Sequence, residues 1–508
     1  MKNTCILLLL LTIISCNRDK KEKINTVAEP QSVKIDSGSL LFESRSTVAF
    51  YKSNGYKTVW IKENNRKALI DLLLNADKHV LNPSSYALKK LIFADRDYTT
   101  MPYKERVKAD ALFTKNFLKF AKDLSHGRVN PKKYYGDWEP ILREINFNSL
   151  LTQAIYEENF EKAVERLLPK NEYYKGLKES YFVYYNKEKD TLLDLSAAQT
   201  AKIKKKLFYL DDLKSRNFSS EWDDESTEAL KNFQRRHGIS VTGNITPQTL
   251  RELNVSLQDR IEQLVVNLER SKWIPDDLGE NYVLVNLPEY KLFYYSKGTL
   301  VETHDVIIGK DSRRTPVLSS SFSNLVINPT WTVPPTILKN DLVPQASTNR
   351  SYFANHRMTI YNSKGQLVDP ENWNPENAKN YRYVQNTGNL NALGLIKFDF
   401  PNKHMVYLHD TNNKSLFDRS DRALSSGCVR VKNPFGLAEK ILEAEQSAYT
   451  RAKLDTLVSR KSTKYIALKK KVNVHQLYWT AWKNDQGVQF RNDVYNLDKG
   501  LYKKLSKS

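Results

Sequence analysis

The sequence predicts a multidomain α+β protein: a helical scaffold carrying a small helical unit, then a β-rich domain with a long insertion over a cleft. Three observations predict it. Apolar residues recur at three- and four-residue spacing through the first half of the chain, the spacing of amphipathic helices. From about residue 281 the texture changes to alternating apolar and polar residues, rich in β-branched and aromatic side chains. A length of 508 residues is ample for several separate cores.

The chain opens with "MKNTCILLLLLTIISC", in which Lys2 precedes an apolar run that ends at Cys16. A bilayer span takes about 20 apolar residues, and this run is shorter and meets "NRDKKEKINT" at once, so residues 1–16 are expected to be a secretory signal outside the fold. Ile13, Ile14 and Ser15 before Cys16 resemble the bacterial lipobox. That resemblance implies a lipid on Cys16 and a periplasmic lipoprotein of the cell envelope, anchored in the outer membrane. An ordinary cleaved signal or an uncleaved anchor are the alternatives. Residues 17–38 are polar and aperiodic, as expected of a flexible tether.

The helical scaffold is expected over 39–215. "RKALIDLLLNADKHVLNPSSYALKKLI" has helical spacing broken at Asn82-Pro83, and "RVKADALFTKNFLKFAKDLSHGRVNP" runs to Gly127 and Pro131. "QAIYEENFEKAVERLLP" adds a helix ended by Pro169. A small unit follows over 216–256, with Thr246 as the expected N-cap of a helix opening at Pro247. Its Phe233, Gln234, Arg235, Arg236, Gly238, Gly243 and Thr249 resemble the signature of the peptidoglycan-binding type 1 domain. Thr242 and Ile245 depart from that signature where Asp and Gly are usual. The fold is implied; a working glycan-binding module and a structural spacer are both open. Residues 257–280 read as a connecting scaffold helix, and 281–508 as the β-rich domain, with 340–392 an aromatic insertion expected to act as a lid.

The formal net charge is +21, spread over the whole chain. Nucleic acid is excluded as partner by the export signal and by the absence of helix-turn-helix, zinc-finger or RNP-type patterns. An acidic wall polymer or anionic membrane surface fits, as does a simply solvated basic surface. Of three cysteines, Cys5 leaves with the signal and Cys16 is assigned to the anchor, so Cys428 is left without a disulfide partner in an oxidising compartment. The histidines show no metal-ligand spacing, and no metal or cofactor is expected.

Cys428 lies in "LHDTNNKSLFDRSDRALSSGCVRVKN", nineteen positions after His409. A thiol of ordinary pKa about 8.5 needs a base, and His409 is the nearest imidazole that could leave a thiolate–imidazolium pair. Gly427 permits close approach of the backbone, so N–H groups around Ser426, Gly427 and Cys428 are candidate oxyanion donors. Arg430 could hold a substrate carboxylate or bias the thiolate. Tyr407 shares a strand face with His409 if alternation holds, as a substrate or oxyanion contact or as ordinary packing. His404, five residues from His409, is expected on the opposite face and outside the site.

The stretch resembles the catalytic signature of YkuD-family L,D-transpeptidases, and "YLHDT...RALSSGCVRV" resembles their YcbB-like branch, with Ser426 where many members carry a second His. The resemblance implies a β-rich L,D-transpeptidase catalytic domain acting on peptidoglycan stem peptides, and sensitivity to carbapenem-type inhibitors. It makes Cys428 the nucleophile and His409 the base, and implies a thioester resolved by an amine into a 3→3 crosslink. A carboxypeptidase or endopeptidase of the same architecture, or a non-catalytic wall anchor, are the other readings.

Overall fold

The structure, a computed structural model, describes residues 31–507 apart from 137, 139 and 141. The signal, Cys16 and most of the tether lie outside the described residues. From Arg45 onward, helices Arg45–Ser53, Glu63–Leu74, Leu88–Asp97, Tyr103–Ser125, Phe147–Glu157 and Phe160–Leu167 close on one core that includes Phe50, Trp60, Leu69, Phe113, Phe117 and Leu151. The long helix Tyr103–Ser125 runs through the middle, which is why it buries residues on nearly every side. At its centre the fully buried Asp110 accepts from Tyr51 and Tyr98 hydroxyls, each at 2.6 Å, and from the Val59 and Trp60 amides. A buried carboxylate costs little only when so satisfied, and here it fastens three segments together.

Helices Thr200–Tyr209, Asp224–Arg236 and Pro247–Leu253 form the small unit around Ile203, Leu207, Leu230, Phe233 and Leu253. Its core therefore takes in a helix that sequence spacing assigned to the scaffold, because Ile203 and Leu207 have their apolar neighbours here. Thr246 caps the last helix through the Thr249 amide. The helix Leu257–Ser271, expected as a connector, is a buried spine. It packs on Glu172–Tyr185 and against the terminal part of the chain, and its Glu269 accepts the Arg128 and Val129 amides of the scaffold.

The β-rich region builds a sheet of eleven strands. They are β1 (Asn281–Asn286), β2 (Lys291–Ser296), β3 (Thr299–Gly309), β4 (Leu318–Ser321) and β5 (Asn324–Ile327) before the insertion. After it come β10 (Ile396–Asp399), β11 (Leu408–His409), β12 (Ala423–Ser425), β13 (Val429–Val431), β14 (Lys464–Ala467) and β15 (Asn473–Leu477). The order is β14-β5-β10-β11-β13-β3-β2-β1-β15-β4, with β12 added beside β3. Short β11 and β13 are central and parallel, with Leu408 opposite Val429 and His409 opposite Arg430. Helix Pro434–Ala444 covers the sheet through Leu437, Ala438, Ile441 and Leu442.

The insertion is a folded unit in its own right. Its four-stranded sheet comprises β6 (Trp331–Thr332), β7 (Met358–Tyr361), β8 (Leu367–Val368) and β9 (Arg382–Gln385), so it opens at Trp331 rather than at 340. Phe353, Trp373 and Tyr383 explain its aromatic content: they form a core, with the Trp373 indole donating to the Tyr383 hydroxyl at 2.7 Å. The hairpin β16 (Ala481–Asn484) and β17 (Gly487–Phe490) seats the end of the chain on the helical spine.

Candidate active site

Parallel pairing of β11 with β13 brings together residues distant in sequence. Side chains alternate along a strand, so Tyr407 and His409 on one chain segment and Cys428 and Arg430 on its neighbour share a face. All four line one cavity of about 550 Å³. Its walls are Ser312–Arg314 and Pro316 on one side, Trp331 and Pro334–Ile337 from the insertion, and Ala392 and Leu393 on another. The insertion therefore borders the cavity. The Tyr407 and His409 rings stand edge to face at 5.8 Å, Trp331 lines the same cavity, and Lys397 Nζ lies 4.9 Å from the Tyr407 ring centre.

His409 is 4 % exposed. Its Nδ1 faces the Asp410 carbonyl, which can only accept, so Nδ1 carries the proton and Nε2 the lone pair. Asp410 in turn is held by Lys414 and by the Leu395 amide, and Gly394 packs so closely on it that a Cβ there would collide. Burial, aided by nearby Arg430, pushes the imidazole down to about 3, against the pull of the Asp410 and Leu393 carbonyls. Burial likewise pushes the Cys428 thiol up to about 11, opposed by the Tyr407 amide, Arg430 and Lys397. The resting site thus favours a neutral thiol with a neutral imidazole, where the bare sequence allowed an ion pair. Desolvation explains the difference: an enclosed pair is cheaper uncharged. Arg430 is itself largely enclosed, and its Nε is buried without a hydrogen-bond partner.

The turn before Cys428 is heavily braced. Gly427 has φ +119°, a conformation that side chains rarely adopt, yet a Cβ there would meet nothing nearer than 3.7 Å. Its requirement for glycine is conformational. Its N–H, expected to be free for an oxyanion, donates instead to Ser425 Oγ at 3.1 Å, because Ser425 folds back to donate to the Cys428 carbonyl at 2.6 Å. Thr315 donates to the Gly427 carbonyl at 2.8 Å. Tyr495, from the end of the chain, accepts the Thr315 amide and donates to the Gly309 carbonyl. Ser426 Oγ accepts from Arg313 at 2.9 Å.

His404 requires a correction. It lines the cavity, because the chain turns at Met405 (φ +54°) and the strand begins only at Leu408, so strand alternation does not reach back to it. Arg313, Arg314, Thr315, Trp331, Lys397 and Asp410 carry no local motif and were missed; only Asp410, adjoining His409, offered a signal. Among the described residues no group of three or more His, Cys, Asp or Glu is placed to hold a metal ion, and no helix is long and apolar enough to cross a membrane.

Residues 280–456 match the L,D-transpeptidase catalytic domain of the YkuD family, 196–253 match a "Putative peptidoglycan binding domain", and 45–180 match a scaffold domain. The chain thus carries, over residues 280–456, a region similar to the L,D-transpeptidase catalytic domain. A Haemophilus influenzae protein named "Putative L,D-transpeptidase" is 37% identical over 256 residues, 50% of this chain and 50% of that protein. The chain spans about half the length of that curated relative. Solved L,D-transpeptidases from Stackebrandtia nassauensis (14% identity, 57% of this chain and 95% of that one, TM-score 0.21) and Xylanimonas cellulosilytica (11%, 55% and 93%, 0.17) also match, with overlaps too slight to carry an argument. The matched binding domain begins at 196 rather than 216, in agreement with the core that includes Ile203 and Leu207.

Proposed function

We propose that this chain is a peptidoglycan L,D-transpeptidase of the YcbB-like branch that forms 3→3 crosslinks through a cysteinyl thioester. The observation that carries the reading is the shared face of Tyr407, His409, Cys428 and Arg430 in a cavity bordered by the insertion. Cys428 Sγ attacks the carbonyl at stem position three as its proton passes to His409 Nε2, and the terminal D-alanine leaves as an amine protonated by the same imidazole. An amine of a neighbouring stem then attacks the thioester, giving up a proton to His409 as the thiol is released. With the Gly427 amide engaged, the Ser426 and Cys428 amides are the oxyanion donors in this reading. Arg430, with its buried free Nε, holds a substrate carboxylate, and Tyr407 packs against the stem.

In the same proposal Cys16 is lipidated, anchoring a periplasmic protein in the outer membrane. The basic charge and the small helical unit serve the wall polymer, and a carbapenem acylates Cys428. Mass spectra of tetrapeptide muropeptides incubated with the protein test the reading: a dimer linked between third residues, absent with Cys428→Ala, is expected. Release of D-alanine without any dimer would replace it with hydrolysis.

A further inference from the structure

Arg313 stands in the loop after β3, on the wall of the cavity, with its side chain 12% exposed. Its guanidinium makes two unlike contacts at once. Both carboxylate oxygens of Asp341 accept from it, Oδ1 at 3.0 Å from Nη2 and Oδ2 from Nη1, in a fork-on-fork pair. Nη1 also donates to Ser426 Oγ at 2.9 Å. Asp341 lies in the Leu338–Leu342 turn of the insertion, and Ser426 two residues before Cys428. One side chain therefore reaches from the insertion to the turn that presents the thiol.

The other supports of that turn act elsewhere on it. Thr315 holds the Gly427 carbonyl, and Ser425 holds the Gly427 amide and the Cys428 carbonyl. Ser426 is held through its side chain by Arg313. A guanidinium with a single hydroxyl partner would swing about its stem. The two-point grip of Asp341 fixes its plane, and so fixes where Nη1 meets Ser426.

We propose that Arg313 is a positioning residue for the acyl transfer, coupling the seated position of the insertion to the placement of the Cys428 turn. The kinetic part of this proposal rests on the transpeptidase reading above; the coupling itself does not.

The test uses the full chain with Asp341→Asn, Ser426→Ala, Arg313→Lys and the double variant Asp341→Asn with Ser426→Ala. Two readouts are taken: kcat and KM for muropeptide crosslinking, and the rate of alkylation of Cys428 by iodoacetamide across pH, followed on the peptide that carries it. Misplacing a reacting group by a fraction of an ångström slows a reaction sharply, so each single variant should lose roughly tenfold in kcat with little change in KM. Arg313→Lys should not rescue, since an ammonium cannot fork. The double variant should be about as slow as either single one, because both break one relay. Alkylation of Cys428 should change in Asp341→Asn, although that residue lies in another unit.

Independent losses that multiply to about a hundredfold in the double variant would overturn the coupling. So would an Asp341→Asn variant that alkylates and turns over as wild type. Alkylation that responds as expected in a protein unable to crosslink would support the bridge and refute the transpeptidase reading instead.

Discussion

Two short runs in this chain have the look of signatures, "FQRRHG" at 233–238 and "SSGCVRV" at 425–431, and the structure uses them in opposite ways. In the first, nearly every letter is spent on architecture. Phe233 is core, and Gln234 takes the Thr242 and Gly243 amides on its oxygen while donating to the Asn244 carbonyl and to Thr249. Arg236 grips Asp212 and the Val488 carbonyl of the terminal hairpin, and His237 stacks on Phe233 at 3.9 Å. Arg235 alone among the long side chains of the run is exposed. In the second run, Ser426, Gly427, Cys428 and Arg430 border a cavity, and Arg430 keeps a buried Nε without a partner. The first run also keeps one buried nitrogen without a partner, His237 Nε2, so the contrast lies in placement: the first run packs into cores, whereas the second borders a cavity.

The most drastic way to break this contrast is Cys428→Ala, which should abolish crosslinking while leaving the melting temperature within a degree or two. Intact-mass and muropeptide spectra read both. His409→Gln should slow turnover by about 10²–10⁴-fold. Residual activity should then climb with pH well beyond neutrality, because an unassisted thiol pushed up to about 11 ionises only there. A pH–rate profile that keeps its wild-type shape would assign the base elsewhere.

In the architectural run the losses should appear in stability. Phe233→Ala should cost about 3–5 kcal/mol in denaturant unfolding and leave alkylation of Cys428 by a small reagent unchanged in the folded fraction. Acid should act on the architectural run and on the candidate site together. His237 and His409 are pushed down to about 3 by burial, from an ordinary 6.5. Their folded forms resist protonation, so their contribution to stability is whole above pH 6.5 and is lost as pH falls toward 3. Melting temperature across that window should fall, and His237→Phe should flatten the fall. Smallest of all, Arg235→Ala should stay within about 0.5 kcal/mol of wild type, as an exposed position does. If it nonetheless weakens binding to isolated sacculi, the small unit keeps a wall-binding role at the one exposed long side chain of this run.

Periodicity made the two fold classes legible because apolar spacing is local: helices to about 271 and strands from 281 follow from neighbours a few residues away. His409 and Cys428 were legible for a chemical reason, since an unpaired thiol near an imidazole has few uses. What lay beyond reach was long-range. The bridge from Ser426 to Arg313 joins residues 113 apart, and that from Thr315 to Tyr495 joins residues 180 apart, with no shared motif. The helix Thr200–Tyr209 carried the same apolar spacing whichever core it joined, so its assignment awaited tertiary contacts. His404 was misplaced because alternation was extended back past a left-handed residue at Met405, before the strand begins at Leu408.

The parallel pairing of β11 with β13 carries a lesson about tolerance to change. Each of the two strands contributes its pair of site residues at a spacing of two, so parity within the strand decides which face they reach. The stretch from Thr411 to Arg422 between them carries no such arithmetic. Lengthening it by one residue leaves both pairs facing inward, whereas one residue inserted between Tyr407 and His409, or between Cys428 and Arg430, turns one partner outward. Length variation among natural or engineered versions of this chain should therefore gather in that loop and stop abruptly at the two strands.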